Sequence, residues 1–264
     1  MSTNKDDVKR ISFSELKNWK ECPYRHKLIY VDKLPHFKGN EYTAFGTAIH
    51  EACEQIIPET SPPTSDVFLN SFKKEILNLQ NSGIKINESL VEEMEQQASP
   101  ICLQVLPAVK NHFGNFKIVS IEEEILEPIQ EFKSYGKNFK GFIDMVIKTE
   151  DEKYHIIDWK TCSWGWSRDK KSDPMTSYQL TYYKNYFAKK HNINQKNIET
   201  YFVLLKRTAK KDNVEVLRIT SGKKKVENSL KVLENAVINI EKKNYIKNRL
   251  NCKYCAFKET EHCT

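Results

Sequence analysis

Hydrophobic positions recur with two different periods along this chain, and the change from one to the other divides it. Within ISFSELKNWKEC (residues 11 to 22) and YTAFGTAIHEACEQII (42 to 57), apolar side chains return every three or four positions, as on the buried stripe of a helix. The first stretch opens with Ser12 or Ser14, and Glu15 stands three residues after Ser12 as a capping box requires. The second puts Ala48, Ile49, Ala52, Cys53, Ile56 and Ile57 on one face, which predicts a helix starting near Thr47 and ended by the prolines of PETSPPTSD. From 66 to 113 the pattern is helical again, with an interruption at NSGIKIN and expected breaks near Pro100 and Pro107.

Period two takes over at residue 116. FKIVSIEEEIL, NFKGFIDMVIK and YHIIDWKT alternate as strands, separated by the turn sequences SYGKN and TEDEK. MTSYQLTYYKNYFAKKH is an amphipathic helix introduced by Asp173 as N-cap and Pro174 in the first turn. IETYFVLLKR is a fourth strand, NVEVLRIT a fifth, and GKKKVENSLKVLENAVINIEKK a long helix. This order implies an α/β fold, a small mixed β-sheet flanked by helices. No internal repeat is visible, so 264 residues read as a single elaborated domain, 1–264, with 60–115 as a helical insertion and 116–220 as its core.

Composition narrows the class. Mean hydropathy is −0.64, and the longest apolar runs fall far short of the roughly 20 residues a membrane span needs. The polar N-terminal MSTNKDDVKR resembles neither a signal nor a transit peptide, which places the chain in a reducing interior such as the cytoplasm, with no membrane partner. The 42 basic residues exceed the 35 acidic ones, for a net charge of +7. That excess suits a polyanion-facing patch, although the runs RDKK, KRTAKK and GKKK taken singly read equally well as solvated loops.

Two strands carry the candidate chemistry. In YHIIDWKT, alternation puts Asp158 and Lys160 on one side and Ile157 and Trp159 on the other. In GFIDMVI, Asp144 stands among apolar neighbours, where a carboxylate is costly unless paired or bound to a cation. If the two strands pair through TEDEK, the two aspartates meet at the sheet end. Two carboxylates and a main-chain carbonyl suit a hard cation such as Mg²⁺. Lys160 beside them would orient an attacking water or stabilise a pentacoordinate phosphorane. The alternative for the trio is a structural ion pair. Of the neighbouring strand, Glu123 or Glu124 would extend the acidic cluster, but three successive glutamates defeat a choice of face.

These residues, with others in the same order, resemble the PD-(D/E)XK nuclease superfamily and within it the RecB-like and Cas4-like branch. The resemblance rests on GFID with Asp144, IIDWK with Asp158 and Lys160, QLTYY with Gln179 and Tyr183 in a Q-x-x-x-Y spacing, FGTAIH with His50 in a G-x-x-x-H helix, and SELKNWKECPYRHKL upstream. It implies a restriction-endonuclease-like core, with His50, Asp144, Asp158 and the Trp159 backbone carbonyl as ligands of Mg²⁺ or Mn²⁺. Imidazole at His50 shifts preference towards Mn²⁺. Gln179 and Tyr183, four apart, share a helical face and would hold a phosphate or the Lys160 amine. The competing reading for His50 is a helix histidine satisfied by Glu51 and Glu54, and for Gln179 and Tyr183 ordinary packing.

Seven cysteines occur. Cys53 sits on an apolar helix face, and Cys102 and Cys162 have no partner spacing, so these read as buried or incidental thiols. In NCKYCAFKETEHC, by contrast, Cys252, Cys255 and Cys263 fall within 12 residues, and C-x-x-C in a reducing compartment is a ligand hairpin. The resemblance supplies a fourth ligand, Cys22, and with it a [4Fe–4S] cluster stapling segments 11–30 and 245–264 into one lobe. Zinc is the alternative, with His26 or His262 able to replace a thiolate.

The resemblance thus implies a metal-dependent deoxyribonuclease, an exonuclease before an endonuclease, acting on DNA that is single-stranded or has free ends. CSWGWSRDKK and the basic runs would guide and stack the strand. With no helicase motif in the chain, unwinding would fall to a helicase or recombination partner. A non-catalytic DNA-binding scaffold of a recombination or CRISPR-adaptation complex, or a zinc-stapled interaction module, are the other classes to be tested.

Overall fold

The computed structural model describes residues 9–55, 65–253 and 255–263. The first half contains β1 (Arg10–Ser12), α1 (Phe13–Glu21), α2 (Pro23–His26), a π-helical turn over Lys27–Val31, α3 (Glu41–Glu54), α4 (Ser65–Asn81) and α5 (Glu88–Phe113). Then come β2 (Phe116–Pro128), β3 (Asn138–Thr149), β4 (Tyr154–Cys162), α6 (Arg168–Ser172), α7 (Pro174–His191), β5 (Ile198–Lys206), β6 (Val214–Ile219) and α8 (Lys223–Glu241). Six strands form one mixed sheet. Among the described residues no helix is long and apolar enough to cross a membrane.

The pairing of β3 organises the sheet. β2 runs antiparallel along nearly its full length, from Phe116 opposite Thr149 to Pro128 opposite Asn138, with a register shift between Ile118 and Ser120. β1 pairs in parallel with residues 138–140 and β4 antiparallel with residues 145–148. Both of these stretches also pair with β2, so β1 and β4 must share the opposite edge of β3. Between them, Gly141 to Asp144 has no strand partner on that edge. β4 then pairs in parallel with β5, and β5 antiparallel with β6.

Alternation along the strands feeds two cores. Ile157 and Trp159 of β4 join Met145, Val203 and Leu205 against α3, α4 and α5, where Phe45 packs on Phe68 at 5.1 Å and Phe68 on Phe72 at 5.2 Å between ring centroids. Ile156, Phe202 and Leu204 face the other way, against α7 and α8, where Phe139 stacks on Tyr186 at 4.6 Å. Each fully buried aromatic contributes about 1.5–3 kcal/mol of burial energy relative to exposure.

Two expectations are corrected, and a sixth strand is added to the five foreseen. The helix carrying His50 begins at Glu41, because Asn40 and Thr43 form a capping box that outranks a start near Thr47; Ile56 and Ile57 lie outside the described residues. α5 runs through both Pro100 and Pro107. The prolines are seven apart, hence on one face, and both are exposed, so the carbonyls they strand can bond water while Met94, Ala98, Ile101, Val105 and Val109 stay buried opposite. β1, three residues long, is too short to show a period.

Tyr183 of α7 lies directly on β3. A Cβ at Gly141 would come within 2.6 Å of the Tyr183 ring, so only glycine lets the helix settle at this height. Gly141→Ala is expected to cost about 1–3 kcal/mol by overpacking, measured by urea denaturation. The same substitution in a Tyr183→Ala background is expected to cost much less; equal costs in the two backgrounds would mean that the ring is not the obstacle.

Candidate active site

The side chains singled out from the sequence gather where β3 and β4 part. Their ladder ends at Met145 opposite Ile157, and Asp144 and Asp158 occupy the next step. There the Trp159 N–H donates to Asp144 Oδ2 at 2.7 Å, so the carboxylate stands in for a strand partner. Ile143 and Met145 should share a face by alternation, yet they enter different cores, which shows the strand turning about Asp144.

Asp158 is 1% exposed and held on both sides. Gln179 Nε2 donates to its Oδ1 at 2.8 Å, and the Lys160 ammonium lies 2.5 Å from Oδ2. Gln179 Nε2 also lies 3.3 Å from the Tyr183 hydroxyl. The amide therefore positions the carboxylate rather than the Lys160 amine. The Lys160 stem reaches over the Phe202 ring, with Nζ 5.7 Å from its centroid.

His50 comes from the opposite layer, on α3, with Nδ1 3.5 Å from Asp144 Oδ2. Burial pushes its imidazole down to about 4; Asp158 and a hydrogen bond to the Trp159 backbone pull upward, and Lys160 pushes further down. The ring is thus neutral at ordinary pH and stands beside the Trp159 carbonyl. Burial, then the neighbouring Asp158, raises Asp144 well above the usual carboxylate range, with Lys160 and the Trp159 N–H opposing. Burial and Asp158 push the Tyr183 phenol upward as well. Among the described residues no three His, Cys, Asp or Glu side chains already stand close enough to clasp one ion. His50, Asp144, Asp158 and the Trp159 carbonyl surround a common region, but Lys160 and the Trp159 N–H now occupy the carboxylates.

One residue escaped the sequence reading. Of the three glutamates on β2, Glu123 is drawn away by Lys190 and His191, each 2.6 Å from its Oε1, and Glu124 lies 3.9 Å from Lys140. Glu122 alone takes a left-handed φ of 46°, and its carboxyl is raised by burial and by Asp158. It joins the acidic side of the site. Periodicity could not have chosen it, because the choice is made by a backbone irregularity.

The aromatic loop splits. Trp166 packs on Phe202 at 5.0 Å with Lys170 above it at 4.8 Å, while Trp164 is 78% exposed.

The second cluster lies apart from these residues. Cys22, Cys252, Cys255 and Cys263, all free thiols, line one cavity of about 260 Å³. Cys22 caps α2 by accepting the Arg25 N–H at 3.4 Å, and its sulfur accepts the Asn248 N–H at the same distance. Asn248 and Asn251 side chains both donate to the Glu21 carbonyl, and the Tyr24 N–H donates to the Ile246 carbonyl, so the tail is bound to the N-terminal segment. His26 is buried and engaged by Glu15 at 2.9 Å, and neither it nor His262 lines the cavity. The substitutes considered for a thiolate are therefore turned elsewhere.

Residues 10–260 match the sequence profile of the PD-(D/E)XK nuclease superfamily. No curated protein matches the chain. Among solved structures, a Eubacterium rectale protein named "Putative exonuclease" superposes with a TM-score of 0.59 at 10% identity, over 97% of this chain and 91% of that one. A protein named SSO0001 aligns with a TM-score of 0.42 at 17% identity, over 97% and 86% of the two chains. A mixed sheet carrying an Asp, an Asp-x-Lys and a following Gln-x-x-x-Tyr helix, under a profile that spans nearly the whole sequence, leads to one assignment: the chain belongs to the PD-(D/E)XK nuclease superfamily.

Proposed function

We propose that the protein is a Mg²⁺- or Mn²⁺-dependent DNA nuclease of the RecB-like and Cas4-like branch, an exonuclease that trims single-stranded or frayed ends in recombination, repair or DNA processing. The observation that carries the reading is the meeting of two buried carboxylates, a lysine and a neutral histidine where β3 and β4 part. A structural ion pair needs one acid and one base. A second buried acid adjacent to the first has no such use and is costly without a cation.

His50, Asp144, Asp158 and the Trp159 carbonyl would hold the metal, with Glu122 on its acidic side. A divalent ion bound there supplies Lewis-acid chemistry to a phosphodiester. The chain's own groups do the rest. His50, uncharged above about pH 4, offers a lone pair without first losing a proton. Gln179 fixes the Asp158 carboxylate, and Tyr183 fixes the amide. Lys160, released from Asp158 by the cation, would present its ammonium to the phosphate and counter the charge that develops there.

The cysteine cavity suits a [4Fe–4S] cluster. Four cysteines line one space, although no three of the described thiols yet stand close enough to share an ion; Arg25, Lys247 and Lys258 border it with Glu259, and two backbone N–H groups point at the Cys22 sulfur, as an anionic sulfur acceptor requires. Its role would be that of a staple between the chain's two ends.

Three outcomes are expected. With Mn²⁺ or Mg²⁺, wild-type protein should degrade linear single-stranded DNA and spare covalently closed circles, and Lys160→Ala should lose at least about a hundredfold in rate, the scale of one removed charge-stabilising group. Cutting of circles would make it an endonuclease, and DNA binding without cleavage would favour the scaffold reading. Anaerobically purified protein should be brown and carry iron and sulfide, and Cys252→Ser should lose both and expose the lobe to protease. Colourless protein holding stoichiometric zinc would assign the cavity to Zn²⁺ instead.

The third concerns pH. The His50 value is lower in the folded than in the unfolded state, so between about pH 6.5 and 4 the unfolded chain binds the extra proton and stability falls as pH falls. Allowing for partial exposure, the loss is about 2 kcal/mol across that window. Asp144, shifted upward, acts in the opposite sense. Urea denaturation in EDTA of wild type against His50→Gln isolates the histidine, and a stability difference that does not change with pH would exclude the effect.

A further inference from the structure

The gap in the sheet opens into a cleft that the chemistry above does not use. A cavity of about 440 Å³ begins at Gln179 and Tyr183 and extends along the unpaired edge of β3 to Arg10, Tyr30, Lys140 and Phe142. Its floor is the stretch between the last residue paired with β1 and the first paired with β4.

Two aromatic rings stand at this cleft. Phe142 lies within a twelve-residue strand yet is 43% exposed, and Lys140 Nζ sits 5.3 Å from its ring centroid. Tyr30 is backed by the buried His26 ring, stacked at 5.1 Å and 19°, and His26 is itself held by Glu15. The tyrosine is thus braced from behind. Two basic side chains border the cleft: Arg10, and Lys140, which also faces Glu124 at 3.9 Å; the bordering carboxylate, Glu15, is engaged by His26.

We propose that this cleft holds the unpaired DNA strand adjoining the cut, with Phe142 and Tyr30 as stacking platforms and Arg10 and Lys140 against the backbone phosphates. The proposal rests on the nuclease reading and deepens it by naming what the enzyme grips. Aromatic faces take bases that have left a duplex stack, and they do so without regard to sequence. A strand seated there has its next phosphate beside Gln179, and through that amide beside Asp158 and Lys160. Paired DNA offers the rings no free base face, so preference for single strands follows from the cleft itself. Tyr30 also ties the cleft to the cysteine lobe, since Cys22 caps the short helix that ends at His26.

The test is fluorescence anisotropy with labelled oligo-dT and a blunt hairpin duplex in EDTA, on full-length protein. Phe142 is exposed, so Phe142→Ala should fold; it is expected to weaken oligo-dT binding about tenfold, as loss of one stacked base does. Phe142→Trp should restore it. Arg10→Ala should reduce the slope of log affinity against log salt by about one. Leu77→Ala, on the exposed side of α4, serves as control. If Phe142→Ala and Arg10→Ala together bind oligo-dT like wild type, the cleft is not the strand site, while cleavage by that same protein would leave the nuclease reading intact. Wild type with no affinity for oligo-dT also overturns the cleft, and cleavage of the duplex then judges the nuclease reading separately.

Discussion

The hydrogen bond from the Trp159 N–H to Asp144 is the contact on which the site depends. β3 must serve two strands on one edge, and it can do so only by leaving residues between them without a ladder partner. A main-chain N–H left bare at that position, 0% exposed as Trp159 is, would cost about 1–3 kcal/mol. A carboxylate reaching across from β3 satisfies it. The same carboxylate then lies beside Asp158 and within reach of His50 from the opposite layer. The divergence of the strands and the assembly of the acidic site are therefore one event in the fold.

Helix α7 supplies the other constraint. Its tyrosines pack into the second core, and Tyr183 comes down on the backbone at Gly141. This height sets Gln179 one turn earlier against Asp158. A strand residue with no side chain thereby controls the position of an amide on a helix and, through it, a carboxylate on the next strand. At the other end of the cleft, α1, α2 and the π-helical turn bring Tyr30 alongside, and the C-terminal tail holds those helices through Asn248, Asn251 and the cysteine cavity. The lobe and the cleft wall thus share α2 and the π-helical turn, while the carboxylates lie beyond them.

The parts legible in the sequence were those in which period and chemistry agree. In β4 the two-residue period alone puts Asp158 with Lys160 and Trp159 with Ile157, and the cores follow it. The hairpin through TEDEK was legible for the same reason. What escaped notice depends on context that local pattern does not carry. β1 is defined only by what β3 offers it. α3 starts at Asn40 because of a reciprocal cap, not because of its apolar stripe. α5 tolerates two prolines because tertiary burial on one face outweighs two lost hydrogen bonds on the other. Glu122, rather than Glu123 or Glu124, comes under the influence of Asp158, at a left-handed φ that no alternation predicts. That Gln179 donates to the Asp158 carboxylate is likewise set by the height of α7 and carried by no local pattern.

The metal-free site explains how such a cluster folds at all. Two carboxylates this close cannot both stay charged and unpaired away from water. The chain resolves the conflict in two different ways. Asp158 is countered by Lys160 at 2.5 Å and hydrogen-bonded by Gln179, while Asp144 is shifted towards its neutral form by burial and by Asp158 itself. The lysine and the upward shift of the Asp144 carboxyl both lower the negative charge left unbalanced in the site. A divalent ion held by these residues would balance the charge instead, with both carboxylates as its ligands and the Lys160 ammonium turned to a phosphate. In the metal-free chain the Lys160–Asp158 ion pair is one part of that charge balance, and under the proposed function the same ammonium would turn towards the phosphate.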